Sequence, residues 1–147
     1  MIVDVKNMFS DAQALTADAV STNVIDLAAT NTLKDIGAGQ PLYLVFKVTT
    51  VLDSAGEAAT LTLTLESDDN TSLSSATTHW TSEAIAEATL VAGYTRVIAL
   101  PVEKTYQRYL GVRYNAGTED FTSGNVTAFL TTQPEAERLY VDNITIS

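Results

Sequence analysis

Proton transfer near neutral pH falls first to histidine, and the chain has one, His79. Its surroundings, TTHWTS, read as a strand and supply no evident partner. His79 is therefore expected to be structural or exposed, and its replacement by alanine to leave thermal stability unchanged. Serine and threonine are abundant, but no G-x-S-x-G occurs and no strand-turn-helix context would expose a nucleophile. Asp68-Asp69-Asn70 offers oxygen ligands of the kind calcium takes. It lacks alternate-position spacing and a following bidentate glutamate, so an exposed turn is expected. Glu83 and Glu87 stand four apart as a solvated pair in which no acid and base can be named. Gly37 and Gly39 lack the third glycine and the helix of a dinucleotide site and mark a turn. The triplets starting at Asn70, Asn125 and Asn143 match the glycosylation sequon, a weak signal in a threonine-rich chain without a signal peptide. The expectation is a protein without catalysis, cofactor or metal.

Composition narrows the partners. Eighteen acidic residues against eight basic ones give a formal net charge of −10. Affinity for nucleic acid comes from Lys and Arg displacing counterions from phosphates, so a nucleic-acid partner is not expected. Five of the eight cations, Arg96, Lys104, Arg108, Arg113 and Arg138, fall in the last third or so, where they make either a contact patch or solvated strand edges. Cysteine is absent, which removes disulfides and thiolate metal sites. The start, MIVDVKNMFSDAQ, has no basic region followed by an apolar stretch. No apolar run approaches the roughly 20 residues that span a bilayer, so neither secretion by the usual route nor a membrane partner is expected.

The elements that must hold these residues are strands. Leu61, Leu63 and Leu65 alternate with Thr60, Thr62, Thr64 and Glu66. Leu42, Leu44, Phe46 and Val48 do the same beside Lys47 and Thr49, as do Leu110, Val112 and Tyr114 beside Arg113 and Asn115, and Val126, Ala128 and Leu130. Period two collects apolar side chains on one sheet face, where a helical period would scatter them. The expected core is Leu44, Phe46, Val48, Leu61, Leu63, Leu65, Leu110, Val112 and Leu130.

Along the chain, 1–9 reads as an N-terminal arm or edge, followed by two short strands around a turn near 16–19. A loop over 31–39 precedes the longest strand, 41–52. A hairpin-like turn at 53–56 leads into the Leu61 strand, then come a polar loop at 68–70, a strand over 76–82, and a short helix or loop over 83–91. A strand from Gly93 to Leu100 is closed by Pro101, which cannot donate to a ladder. Residues 106–116 and 124–132 read as a hairpin around the turn at 117–123. Residues 134–147 form a C-terminal strand or tail. The count is about eight strands without intervening amphipathic helices, which argues for one all-β domain over 1–147, an antiparallel sandwich of jelly-roll type.

Aromatic residues provide the remaining candidates. Tyr106 and Tyr109 flank Arg108 and could stack on a sugar, but packing and protein interfaces use tyrosine and arginine more often. Arg96, Tyr106, Arg108, Tyr109 and Arg113 are candidate interface residues, together with Tyr140, Ile144 and Ile146 of the two-faced C-terminal strand.

The ordered segments FSDAQALT, STNVIDL, GQPLYLVFKV, ATLTLTLESDD, TLVAGYTRVIALP, QRYLGVRYNA and SGNVTAFL resemble the jelly-roll cement, or decoration, proteins on capsids of tailed phages, the short-tailed ones especially. The resemblance runs to about Thr132, and the 138–147 tail departs from the pattern. It implies a protein made in the host cytoplasm that binds the outer surface of an assembled head and clamps neighbouring major capsid protein subunits. It also implies no cofactor and a homo-oligomer, a dimer ahead of a trimer. A carbohydrate- or receptor-binding β-sandwich of a virion is the alternative.

Overall fold

The computed structural model describes residues 4–28, 39 and 41–134. Ten strands lie among them: β1 (Met8–Ala14), β2 (Ala19–Val20), β3 (Ile25–Asp26), β4 (Tyr43–Ser54), β5 (Thr60–Asp68), β6 (Thr77–Thr81), β7 (Ile85–Ala86), β8 (Thr95–Ala99), β9 (Tyr109–Gly117) and β10 (Phe121–Thr131). One sheet has the order β1-β10-β4-β8; the other has β2-β9-β5-β6, with β3 also on β9 and β7 on β5. Every pairing is antiparallel.

With the two-residue β3 and β7 set aside, the first of the remaining strands pairs with the last, the second with the second-to-last, and so inward to β5 and β6. That nesting is the strand order of a jelly roll. The all-β sandwich expected from the sequence is therefore present.

The alternation reads the core face correctly. Leu44, Phe46 and Val48 of β4 stand opposite Leu130, Ala128 and Val126 of β10, and Leu63 and Leu65 of β5 opposite Tyr114 and Val112 of β9. All ten are buried in one cluster between the sheets. Tyr114 reaches across the sandwich to Ser10 on β1, 2.7 Å between hydroxyls, and burial pushes its phenol pKa up. Val45 and Phe129 have the opposite parity to this core set, yet are buried as well. They sit in a four-strand row with Met8 and Val97, so the β1-β10-β4-β8 sheet is apolar on both faces along that row.

Several local expectations change. The turns at 53–56 and 117–123 are not hairpins, because β4 and β10 belong to one sheet while β5 and β9 belong to the other. The two short strands near the start likewise part company, β1 and β2 lying in different sheets. In a jelly roll successive strands cross between layers, and the turn residues that permit a hairpin also permit that crossing. Segment 83–91 is neither helix nor plain loop. Ile85–Ala86 pairs with β5, and Glu87–Thr89 is a 3-10 turn. At the start, a 3-10 turn over Val5–Asn7, capped by Asp4, leads into β1 at a sheet edge. All of the expected loop over 31–39 except Gly39, and the C-terminal strand beyond residue 134, lie outside the described residues.

Candidate functional site

Two places gather ionisable side chains. The first lies on the outer face of β5, where alternation puts Thr64, Glu66 and Asp68 toward water. All three are buried, Asp68 completely. The cover is the β5–β6 loop, which lays Leu73 on the sheet where β9 has Gly111. A Cβ at Gly111 would overlap the Leu73 side chain, so glycine here marks a close approach rather than a turn. Leu73 holds left-handed φ of 51°, and Asn70 Oδ1 braces it by accepting from the Ser72 amide at 3.1 Å.

Under the loop one carboxylate meets a cation and the other meets neutral donors. Arg113 Nε donates to both Glu66 oxygens, at 3.1 and 3.0 Å, and its Nη2 donates to the Leu73 carbonyl at 2.9 Å. Asp68 accepts the Ser75 amide at 2.8 Å and the Asp69 amide at 2.7 Å. Burial works against the charged carboxylate, but these hydrogen bonds outweigh it and hold the pKa below the ordinary value. The turn at 68–70 is thus exposed only in part, and Asp68 closes the loop from inside.

His79 has the partner that its neighbours in sequence did not reveal. Its Nε2 lies 2.6 Å from Ser67 Oγ, which also accepts the Gln107 amide at 2.9 Å. The imidazole packs against the Tyr106 ring at 4.4 Å between centroids, and the Tyr106 hydroxyl donates to the Pro101 carbonyl. Burial first, and the Lys104 charge second, lower the His79 pKa. Burial raises that of Tyr106 to about 12. Serine and histidine within hydrogen-bond reach form the start of a nucleophile pair, but Ser67 is fully buried and no substrate atom can reach its Oγ. Alanine at position 79, silent on the sequence reading, is expected from these contacts to cost stability, since it would remove a buried hydrogen bond and a ring contact.

The candidate interface residues are scattered, and the arginines are engaged. Arg96 points from β8 across the open side of the sandwich to Glu83, with Nη2 to Oε2 at 2.9 Å. That ion pair, led by the hydrogen bond to Arg96, pulls the Glu83 pKa to about 2. The solvated Glu83–Glu87 pair is not formed, because Glu83 faces Arg96 whereas Glu87 turns to Ser54. Arg108 grips Asp26 with two bonds of 3.0 and 2.9 Å and lies 5.0 Å from the Tyr109 ring centre. Arg113 is under the loop. Tyr106 packs into the core edge, so the Tyr106/Tyr109 sugar platform is not assembled. Tyr140, Ile144 and Ile146 lie outside the described residues.

The second gathering is at the end of the sandwich where β4 crosses to β5 and β9 to β10. Glu119 accepts the Ala58 amide at 2.9 Å, the Ser54 hydroxyl at 2.7 Å and the Gly56 amide at 3.1 Å, and its pKa is lowered by these donors. Glu87 accepts the Ser54 amide at 3.1 Å and also contacts the Ser54 hydroxyl, so one hydroxyl proton serves two carboxylates. Beside them is an open cleft of about 270 Å³ lined by Val51, Leu52, Asp53, Glu57, Glu87, Ala88 and Val91. Its lining combines aliphatic side chains with the exposed carboxylates of Asp53 and Glu57 and the buried one of Glu87, and none of its lining residues is basic. Among the described residues no group of three or more His, Asp and Glu is arranged to hold a metal ion. Sequence reasoning missed this end because its carboxylates come from three separate turns.

The Bbp16 family model matches residues 9–130, from β1 to β10, and the chain belongs to the Bbp16 family. No curated protein matches it.

Proposed function

We propose that this Bbp16 family member is a capsid cement protein, which binds the outer surface of an assembled phage head as a homo-oligomer, a dimer ahead of a trimer, and clamps neighbouring major capsid protein subunits. The observation that carries this reading is the strand order. The nesting of β1 with β10 inward to β5 with β6 is the jelly roll that the resemblance to decoration proteins implies. A fold alone serves many roles; the ordered run of resembling segments, from FSDAQALT to SGNVTAFL, supports this one.

The side-chain chemistry fits. Ser67 and His79 are sealed in the fold, and the arginines at 96, 108 and 113 tie elements of the chain to one another. What faces outward is acidic and in places aliphatic, suited to protein contact and averse to packaged DNA. The test is co-sedimentation of the purified protein with expanded capsids assembled from the major capsid protein of the same genome, run beside a glycan array. Saturable binding to capsids with an empty array is expected. Glycan binding without capsid binding would move the assignment to a receptor- or carbohydrate-binding module.

A further inference from the structure

The cleft between the end of β4 and the Glu87–Thr89 turn joins exposed apolar side chains and exposed carboxylates. Five large apolar side chains are exposed among the described residues, and two of them, Val51 at 45% and Val91 at 51%, line this one cleft. Apolar area left open in a concavity and rimmed by polar groups is the pattern of a contact site. The same lining brings in Asp53 and Glu57, both exposed, and the buried Glu87, whose carboxylate is anchored by Ser54. Glu57 is held at the rim in left-handed conformation, φ 56°.

The complement of such a cleft is a long aliphatic stem ending in a cation. Arginine is the natural occupant, because its methylenes pack on valine and alanine while its fork of donors engages carboxylates two at a time. Among the described residues, Arg96, Arg108 and Arg113 are each held by a carboxylate of their own chain, so these three are poorly placed to fill the cleft of a second copy. We infer that the Val51–Val91 cleft docks an arginine-bearing segment of the protein partner, the guanidinium between Asp53 and Glu57 and the stem on Val51, Ala88 and Val91. For the partner's identity, though not its chemistry, this rests on the capsid-binding reading.

The probe is a fluorescein-labelled peptide alternating arginine and valine, titrated by anisotropy against the full chain and its variants. The double variant Asp53→Asn/Glu57→Gln is expected to weaken binding at least tenfold, and Val91→Ser several-fold, with unchanged melting temperatures. Equal affinity in all three proteins would overturn the inference. So would a loss with the charge variant and none with Val91→Ser, which would reduce the effect to attraction toward an acidic chain. Wild-type self-association abolished by the charge variant would also overturn it, in favour of a second copy. Capsid co-sedimentation separates the two readings: if the charge variant still co-sediments like wild type, the cleft inference fails while the cement reading stands. If wild type does not co-sediment, the cement reading fails whatever the peptide does.

Discussion

The outer face of β5 and the crossing end of the sandwich are both built around carboxylates, and they use them in opposite ways. Under the β5–β6 loop, Glu66 meets Arg113 and Asp68 meets backbone and hydroxyl donors, all covered by Leu73. At the crossing end Glu119 and Glu87 are held by amides and one shared hydroxyl, and Asp53 and Glu57 stand open beside exposed valines. A carboxylate matched by a cation and covered by a loop is part of the fold. One left exposed beside an open cleft, as Asp53 and Glu57 are, is available for the contact proposed above.

The sharpest way to break that contrast is Arg113→Met. It strands Glu66, whose side chain is only 8% exposed, and is expected to destabilise by about 3 kcal/mol, the lower end for a broken buried pair because Arg113 itself is partly solvated. Adding Glu66→Leu should restore most of the loss, since replacing both partners removes the stranded charge. The readout is the denaturant midpoint at constant m. If the single variant is as stable as wild type, the Glu66–Arg113 pair does not hold the fold together.

Leu73→Ala comes next. Leu73 is fully buried but belongs to a loop, so roughly 2 kcal/mol is expected, together with faster amide exchange over 69–76 and none over 54–58.

Acid unfolding sharpens the comparison further. A carboxyl group whose pKa falls on folding contributes stability above its unfolded pKa and loses it as pH drops through the folded value. Asp68, Glu83 and Glu119 are all lowered, Glu83 from 4.5 to about 2, so the melting temperature should fall as pH is taken from 4.5 toward 2. Asp68→Asn should remove part of that dependence. His79 acts higher on the scale. Its folded pKa lies below the ordinary 6.5, so the unfolded chain takes up the proton first and stability declines as pH falls through about 6.5. His79→Gln should flatten the slope of melting temperature between pH 7.5 and 5.5. The smallest effect belongs to the open rim, where Asp53→Asn and Glu57→Gln should change stability by less than about 0.5 kcal/mol.

Much of the fold was legible in the sequence because strands with one buried face write it as alternation. β4, β5, β9 and β10 follow Leu44-Phe46-Val48, Leu61-Leu63-Leu65, Leu110-Val112-Tyr114 and Val126-Ala128-Leu130. Sheet membership was not legible, since Asp53-Ser54-Ala55-Gly56 turns a chain equally well within a sheet or between two. The burial of Glu66 and Asp68 was hidden because a loop from elsewhere covers them. One signal pointed to it: Gly111 interrupts the strand Leu110-Gly111-Val112-Arg113 at the register position opposite Glu66. Ser67 meets His79 across twelve residues and a β-bulge, a pairing no local pattern encodes. Type and clustering mark the candidate interface arginines, but they cannot tell an arginine free to bind from one already held by Asp26, Glu66 or Glu83.

Hydrogen–deuterium exchange of the protein, free and bound to expanded capsids, tests the division of labour most directly. The account predicts new protection at 51–57 and 87–91 on binding, with exchange over 64–76 unchanged because that region is already closed in the free protein. Protection confined to 69–76, with 51–57 and 87–91 exchanging as before, would contradict it and make the covered face, rather than the open end, the surface that meets the partner.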